Sequence, residues 1–210
     1  MCILKTSENL CYKGFISYPE TKIYENQFTF ITGESGCGKS SFLKLLNASS
    51  IPTSGTVFYE EKNIQDLEIL DYRKTVLLVP QEVFLFDGTI LDNFNTYRRY
   101  SQRTPLRATE AEKFLNICCA DFSPSSSCQT LSGGEKQRVF LSIFLSCMPK
   151  VILLDEPTAA LDEKTSINLM TNLKKFCQDE KITAVVVCHN NDLVNKFADN
   201  VIRFGKEGKL

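Results

Sequence analysis

Residues 28–47 read FTFITGESGCGKSSFLKLLN. The run Phe28–Thr32 has the β-branched and aromatic content of a buried strand, and Ser41–Asn47 has the apolar spacing of a helix. Between them Gly33, Glu34, Ser35, Gly36, Cys37, Gly38, Lys39 and Ser40 fit G-x-x-x-x-G-K-[ST], with Ser41 opening the helical run. Glycines in such a turn let backbone N–H groups point inward around phosphate oxygens, and the helix N-terminus adds positive potential. The pattern predicts Lys39 on the β- and γ-phosphates of a nucleotide and the Ser40 hydroxyl on Mg²⁺. A glycine-rich turn without a ligand is the competing reading, and the agreement of strand, spacing and helix disfavours it. The cradle leaves the reaction open, because kinases, GTPases and motors all use it.

Working outward, strand-like runs stand at Thr56–Tyr59, Thr75–Val79, Val151–Leu154, Ile182–Cys188 and Val201–Phe204. Those at 151 and 182 are continuously apolar, as parallel strands buried on both faces are. Between them Ile167, Met170, Leu173 and Phe176 give Thr165–Gln178 a helical spacing. Strand–helix–strand alternation predicts an α/β fold with a mainly parallel sheet. Residues 82–148 differ, with helical patterns, polar loops such as SPSSSCQT and a Thr109/Glu112 capping-box pattern. They read as a helical lobe inserted between core segments 1–81 and 149–210.

The balance of 24 basic and 25 acidic residues, net −1, offers no electrostatic attraction to nucleic acid. Nine scattered cysteines with no C-x-x-C pair, and a single histidine, argue against a zinc site and for free thiols in a reducing cytosol. The most apolar stretches fall well short of the ~20 residues a membrane span needs, so a soluble chain is expected and any membrane role must come through a partner.

Two further features carry chemistry. VILLDEP, residues 151–157, puts Asp155 and Glu156 at the C-terminal end of a buried strand, where α/β sheets bind ligands. Asp155 suits Mg²⁺; Glu156, one residue on, leaves in another direction and suits a general base for an attacking water. His189 follows the strand Ile182–Cys188 on the same sheet edge, within reach of the γ-phosphate or that water. A lone histidine is more often structural, and its position is what argues for function here.

LSGGEKQR, residues 131–138, then poses a question: two adjacent glycines weaken a helix start, and the chain already has a phosphate cradle. The parts in this order resemble the ATP-binding subunits of ABC proteins over essentially the whole chain. Gln81 in VPQE is similar to that family's Q-loop glutamine, LSGGEKQR to its signature, VILLDEPTAALD to its Walker-B and D-loop segment with Asp162, and CHNND to its histidine loop. Glu135 stands where glutamine is commoner in the signature, GKSS replaces GKST, and Cys188 and Asn190 replace the usual neighbours of the histidine. The resemblance implies a P-loop NTPase, RecA-like core with an N-terminal antiparallel β portion and a helical lobe. It implies ATP and Mg²⁺, with Gln81 touching the metal and the reaction, and a homodimer in which Ser132, Gly133, Gly134 and Asp162 serve the partner's nucleotide. An aromatic near the N-terminus stacks on adenine in this family; Tyr12 fits best, with Phe15 and Tyr18 as rivals.

The biology implied is the motor subunit of a transporter whose permease is a separate chain, working in the cytoplasm on the inner face of the membrane. PQEVFLFDGTILDN, residues 80–93, is similar to the stretch that meets the permease. A soluble ABC ATPase acting on nucleic acid or ribosomes is the alternative; against it, no long coiled-coil arm fits between Lys39 and Leu131, and there is no zinc motif or second ATPase half. The end of the chain just after its last strand predicts no regulatory C-terminal domain. The run YRRYSQRTPLRA, residues 97–108, carries Arg98, Arg99, Arg103 and Arg107 with no acid among them, either a solvated face or a patch for the membrane surface.

Overall fold

The computed structural model describes residues 1–205, so positions 206–210 of the predicted core segment lie outside the described residues. The chain opens with β1 (Cys2–Thr6), the hairpin of β2 (Cys11–Tyr12) and β3 (Ile16–Ser17), and β4 (Lys22–Tyr24). Then β5 (Phe28–Gly33) leads into α1 (Lys39–Leu46), and β6 (Val57–Tyr59), β7 (Lys62–Asn63) and α2 (Ile69–Thr75) bring it to β8 (Val76–Val79). Helices α3 (Ile90–Tyr100), α4 (Ala108–Ile117) and α5 (Gly133–Leu145) follow, and the chain returns through β9 (Val151–Asp155), α6 (Glu163–Asp179), β10 (Thr183–Val187), α7 (Asn191–Phe197) and β11 (Asn200–Phe204).

The central sheet runs β11-β5-β10-β9-β8 and is parallel throughout; β4-β1-β6-β7 form a separate antiparallel sheet. Side chains of β9 alternate between two cores. Val151 and Leu153 pack with Phe42 and Leu43 of α1 and with Ile3 and Leu4 of β1, while Ile152 and Leu154 pack with Phe140 of α5 and Leu169 of α6. Coverage on both faces is why β9 and β10 read as unbroken apolar runs. Each fully buried Val, Leu or Ile contributes about 1.5–3 kcal/mol.

The segment between β8 and β9 builds its own core from Ile90 and Phe94 of α3, Ala111 and Leu115 of α4, and Val139 and Ile143 of α5. Two sequence expectations need correction here. Thr109 does not cap α4: the helix begins two residues earlier, with the Arg107 N–H donating to the Glu110 carboxylate at 2.8 Å. Nor are the four arginines one exposed patch. Arg98 is only 8% exposed, its Nε donating to the Thr104 carbonyl and its Nη1 to the Ser146 carbonyl at the end of α5, and Arg107 pairs with Glu110 at 3.4 Å. The signature helix begins at Gly133, so Gly133 and Gly134 lie inside its first turn.

Register places the chemistry. Val187 pairs with both Ile31 and Asp155, and Val79 pairs with Leu154, so Gly33, Gln81, Asp155 and His189 all emerge at one C-terminal sheet edge.

Candidate functional site

At that edge an open cleft of about 640 Å³ is lined by Ser35, Gly36, Gly38, Lys39, Ser40 and Ser41 from the cradle, and by Gln81, Glu156 and His189 from across the sheet. Gly38, the residue before α1, has φ +94°, and a Cβ there would come within 2.8 Å of the Tyr18 hydroxyl, so backbone curvature and packing both demand glycine. Tyr18 donates to the Gly38 carbonyl at 3.0 Å, and its ring packs in a three-ring cluster with Phe42 and Phe204. That removes Tyr18 from the candidate adenine aromatics; burial pushes its hydroxyl well above the usual tyrosine range. Tyr12 is half-buried on β2 with the Lys13 ammonium 5.5 Å from its ring centre, and Phe15 is exposed at the hairpin turn.

Lys39 is 5% exposed, and its ammonium is held by the carbonyls of Gly33 at 2.9 Å and Glu34 at 2.7 Å, with Cys37 Sγ at 3.8 Å. The P-loop thus presents N–H groups and one lysine to the same space, a site for polyanionic phosphate. Gly33, Glu34 and Cys37 belong to the loop but do not line the cleft; Gly33 and Cys37 pack against each other and Phe204, so their part is to shape the turn.

Ser40 Oγ donates to Asp155 Oδ1 at 3.0 Å. Asp155 is 7% exposed, and burial pushes its carboxyl above the usual range, the Ser40 hydrogen bond pulling the other way. A hydroxyl and a buried carboxylate beside a phosphate cradle are the hard oxygen donors that Mg²⁺ takes from a protein when nucleotide and water complete its shell. Among the described residues no cluster of three or more His, Cys, Asp or Glu could hold a metal alone.

Glu156 has φ +53°, a left-handed conformation uncommon for a side chain of this size and characteristic of functional turns. Its N–H donates to the Val187 carbonyl at 3.2 Å. Its carboxylate is gripped from both sides, by Gln81 Nε2 at 3.1 Å on Oε2 and His189 Nε2 at 3.0 Å on Oε1. A second hollow of about 440 Å³, bounded by Thr158, Leu161, Asn190 and Asp192, lies against the same Glu156–His189 pair.

Ser132, Gly133, Gly134 and Asp162 do not line their own chain's cleft. Ser132 caps α5, its N–H donating to the Glu135 carboxylate at 2.7 Å. Asp162 caps α6, accepting from the N–H and hydroxyl of Thr165, which hold its carboxyl below the usual range. The two signature glycines differ. A Cβ on Gly133 would meet nothing within 4 Å, whereas one on Gly134 would lie 2.9 Å from the Ala160 carbonyl. Gln137, which the sequence reading passed over, donates from Nε2 to the Glu156 carbonyl at 3.0 Å; the available signal was its place one helical turn beyond Gly134.

A protein-family model described as "ABC transporter" matches residues 18–159. The chain is 37% identical over 176 residues to the probable iron export ATP-binding protein FetA of Escherichia coli (strain K12), covering 84% of this chain and 78% of that one. It is 32% identical over 197 residues to the phosphonates import ATP-binding protein PhnC 1 of Trichodesmium erythraeum (strain IMS101), covering 88% and 78%. Among solved structures, the dimeric bacterial ABC transporter cassette MJ0796 superposes with a TM-score of 0.85 at 27% identity, covering 99% of this chain and 96% of that one. The same cassette in a post-hydrolysis state bound to ADP and Pi superposes with a TM-score of 0.84.

Proposed function

The chain belongs to the ABC transporter ATPase family, and on that premise we propose how its residues make it the ATP-driven motor subunit of a transporter with a separate permease. The observation that carries the reading is the Glu156 carboxylate, fixed by Gln81 and His189 on the wall of the phosphate cleft. Lys39 and the P-loop N–H groups bind the β- and γ-phosphates of ATP. Ser40, Asp155 and Gln81 would hold Mg²⁺, which would neutralise phosphate charge when bound. Glu156 takes a proton from the water that attacks the γ-phosphorus as the bond to the ADP oxygen breaks; His189 and Gln81 keep the carboxylate in line. Tyr12 is the aromatic for adenine.

Two chains close around two nucleotides, each offering Ser132, Gly133, Gly134 and Asp162 to its partner. The absence of these residues from their own cleft and the open side of Gly133 support this arrangement. Residues 82–148 act as the lobe that carries the signature and meets the permease, with Phe84 (59% exposed) and Tyr100 (65%) beside Phe86 as an apolar contact. No helix among the described residues is long and apolar enough to cross a membrane, in keeping with peripheral attachment at the cytoplasmic face through a permease. Mg²⁺-dependent phosphate release by the purified chain, abolished by Lys39→Ala, tests the motor. Co-purification of a multispanning membrane protein from detergent-solubilised membranes tests the permease; a chain that hydrolyses ATP but never brings one down overturns the transport assignment.

A further inference from the structure

We propose that Gln137 is a positioning residue that couples the tilt of the signature helix to the aim of the same chain's Glu156. The proposal rests on the reading of Glu156 as the general base. Gln137 stands on α5, and its side chain reaches across to β9's exit. The group facing it is a carbonyl, which only accepts, so the amide must present its NH₂; Nε2 lies 3.0 Å from the Glu156 oxygen. That peptide belongs to a residue at φ +53°, whose carbonyl and carboxylate are carried on the same Cα.

A second contact lies on the same helix face. Gly134, three residues before Gln137, lets α5 approach the Ala160 carbonyl so closely that a Cβ would sit 2.9 Å from it. Signature helix and post-strand loop therefore touch at two points, at both ends of the loop segment 156–160. The joint is tight: the void bounded by Pro80, Gln137, Asp155 and Pro157 is about 10 Å³, at or below what one water needs beside the amide. Gln137 Oε1 is buried with no hydrogen-bond partner among the described residues, so a single bond fixes the side chain and motion of α5 is passed on through it. When the N-terminus of α5 moves on meeting a partner's nucleotide, the Glu156 carbonyl moves with it, and the carboxylate turns relative to Gln81 and His189.

The test is a double-mutant cycle on the full-length chain, reading single-turnover ATP hydrolysis, ATP affinity by fluorescent-nucleotide displacement, and the thermal melt. Gln137→Met keeps volume and removes the donor; Gln137→Asn keeps an amide and withdraws it by one methylene, and serves if the methionine variant does not fold. Either slows hydrolysis at least about tenfold with ATP affinity unchanged, the signature of misaiming rather than lost binding. In a Glu156→Gln background the same change adds less than about twofold, because the residue acts through Glu156. Turnover within twofold of the parent in a folded Gln137 variant overturns the proposal, and so does full additivity with Glu156→Gln. The Glu156→Gln arm alone reports on the base: a single variant that turns over normally removes the base assignment and this inference with it.

Discussion

The Nε2 of His189 lies 3.0 Å from Oε1 of Glu156, while Gln81 occupies Oε2 from the other side. Each oxygen of this carboxylate takes one donor and keeps a second lone pair, so Glu156 can accept a proton from water while both partners hold it in line. Gln81, just beyond β8 and at the entry to the helical lobe, is the partner that lobe movement would withdraw.

Glu156→Gln keeps the size of the side chain and removes its basicity. Hydrolysis should fall at least about 10²-fold while Mg-ATP still binds, and ATP should trap a dimer visible by size exclusion. Near-normal turnover would take Glu156 out of its role.

The signature works in trans if mixing two inactive variants restores a site. Ser132→Arg keeps a sound Lys39, Lys39→Ala keeps a sound Ser132, and their heterodimer has one intact composite site and one carrying both lesions. Each homodimer has only spoiled sites. Tagged heterodimers should regain ATP-driven association and up to about half of the hydrolysis, because one of two sites is whole. Confirmed heterodimers with no gain in either readout would refute the shared site.

Asp155 has its folded-state pKa raised by burial, so its ionised form opposes folding of the nucleotide-free chain. The sign follows: the opposition is absent below the unfolded carboxyl's titration near about pH 4 and grows as pH rises through the folded value. Asp155→Asn should therefore melt higher than the parent at pH 7 without ligand, with the gap closing under acid, and should lose the further rise that Mg-ATP gives the parent. A gap independent of pH would show that the carboxylate's charge is not its origin.

Arg98 tests the helical lobe. Arg98→Met leaves the Thr104 and Ser146 carbonyls without their buried donor, at about 1–3 kcal/mol each. The melt should drop by about 4 °C or more, whereas the double change Arg99→Gln, Arg103→Gln should leave it within about 1 °C. Equal effects of the two would return Arg98 to the surface.

The strands around the site were legible because β5, β9 and β10 are buried on both faces, with Val151–Leu154 and Ala184–Val187 unbroken and only threonines interrupting β5. The antiparallel strands were legible only in part: β6 falls within the predicted run Thr56–Tyr59, whereas β4 is three residues with one buried side chain, and β2 and β3, which pair only with each other, are two residues each, too short for a period to show. In the stretch RATEAE, residues 107–112, two capping registers overlap, and the Asn95 side chain settles the choice by accepting from the Leu106 N–H at 2.7 Å, which fixes where the chain turns into α4. Arg98 looked like its charged neighbours because only the end of α5, far along the chain, reveals what it binds. In the site, Lys39 and Ser40 follow from the G-x-x-x-x-G-K-[ST] spacing, and Asp155 and His189 from strand-end position. The grip of Gln81 on Glu156, and of Gln137 on its backbone, depends on how the lobe seats against the sheet, which no local pattern records.

The unlike surroundings of Gly133 and Gly134 bear on inheritance. Alanine at 134 strikes the Ala160 backbone in every molecule, assembled or alone, so the altered chain starts damaged and should be outcompeted by normal copies: a recessive allele. Alanine at 133 meets nothing in its own chain, and on the shared-site reading it first meets the nucleotide that a second chain brings. That product folds, joins normal chains and spoils the composite site it enters, so where the two sites must fire together one altered copy beside a normal one should lower activity below half. Merodiploid strains carrying each allele beside the normal gene would separate the two glycines by dominance.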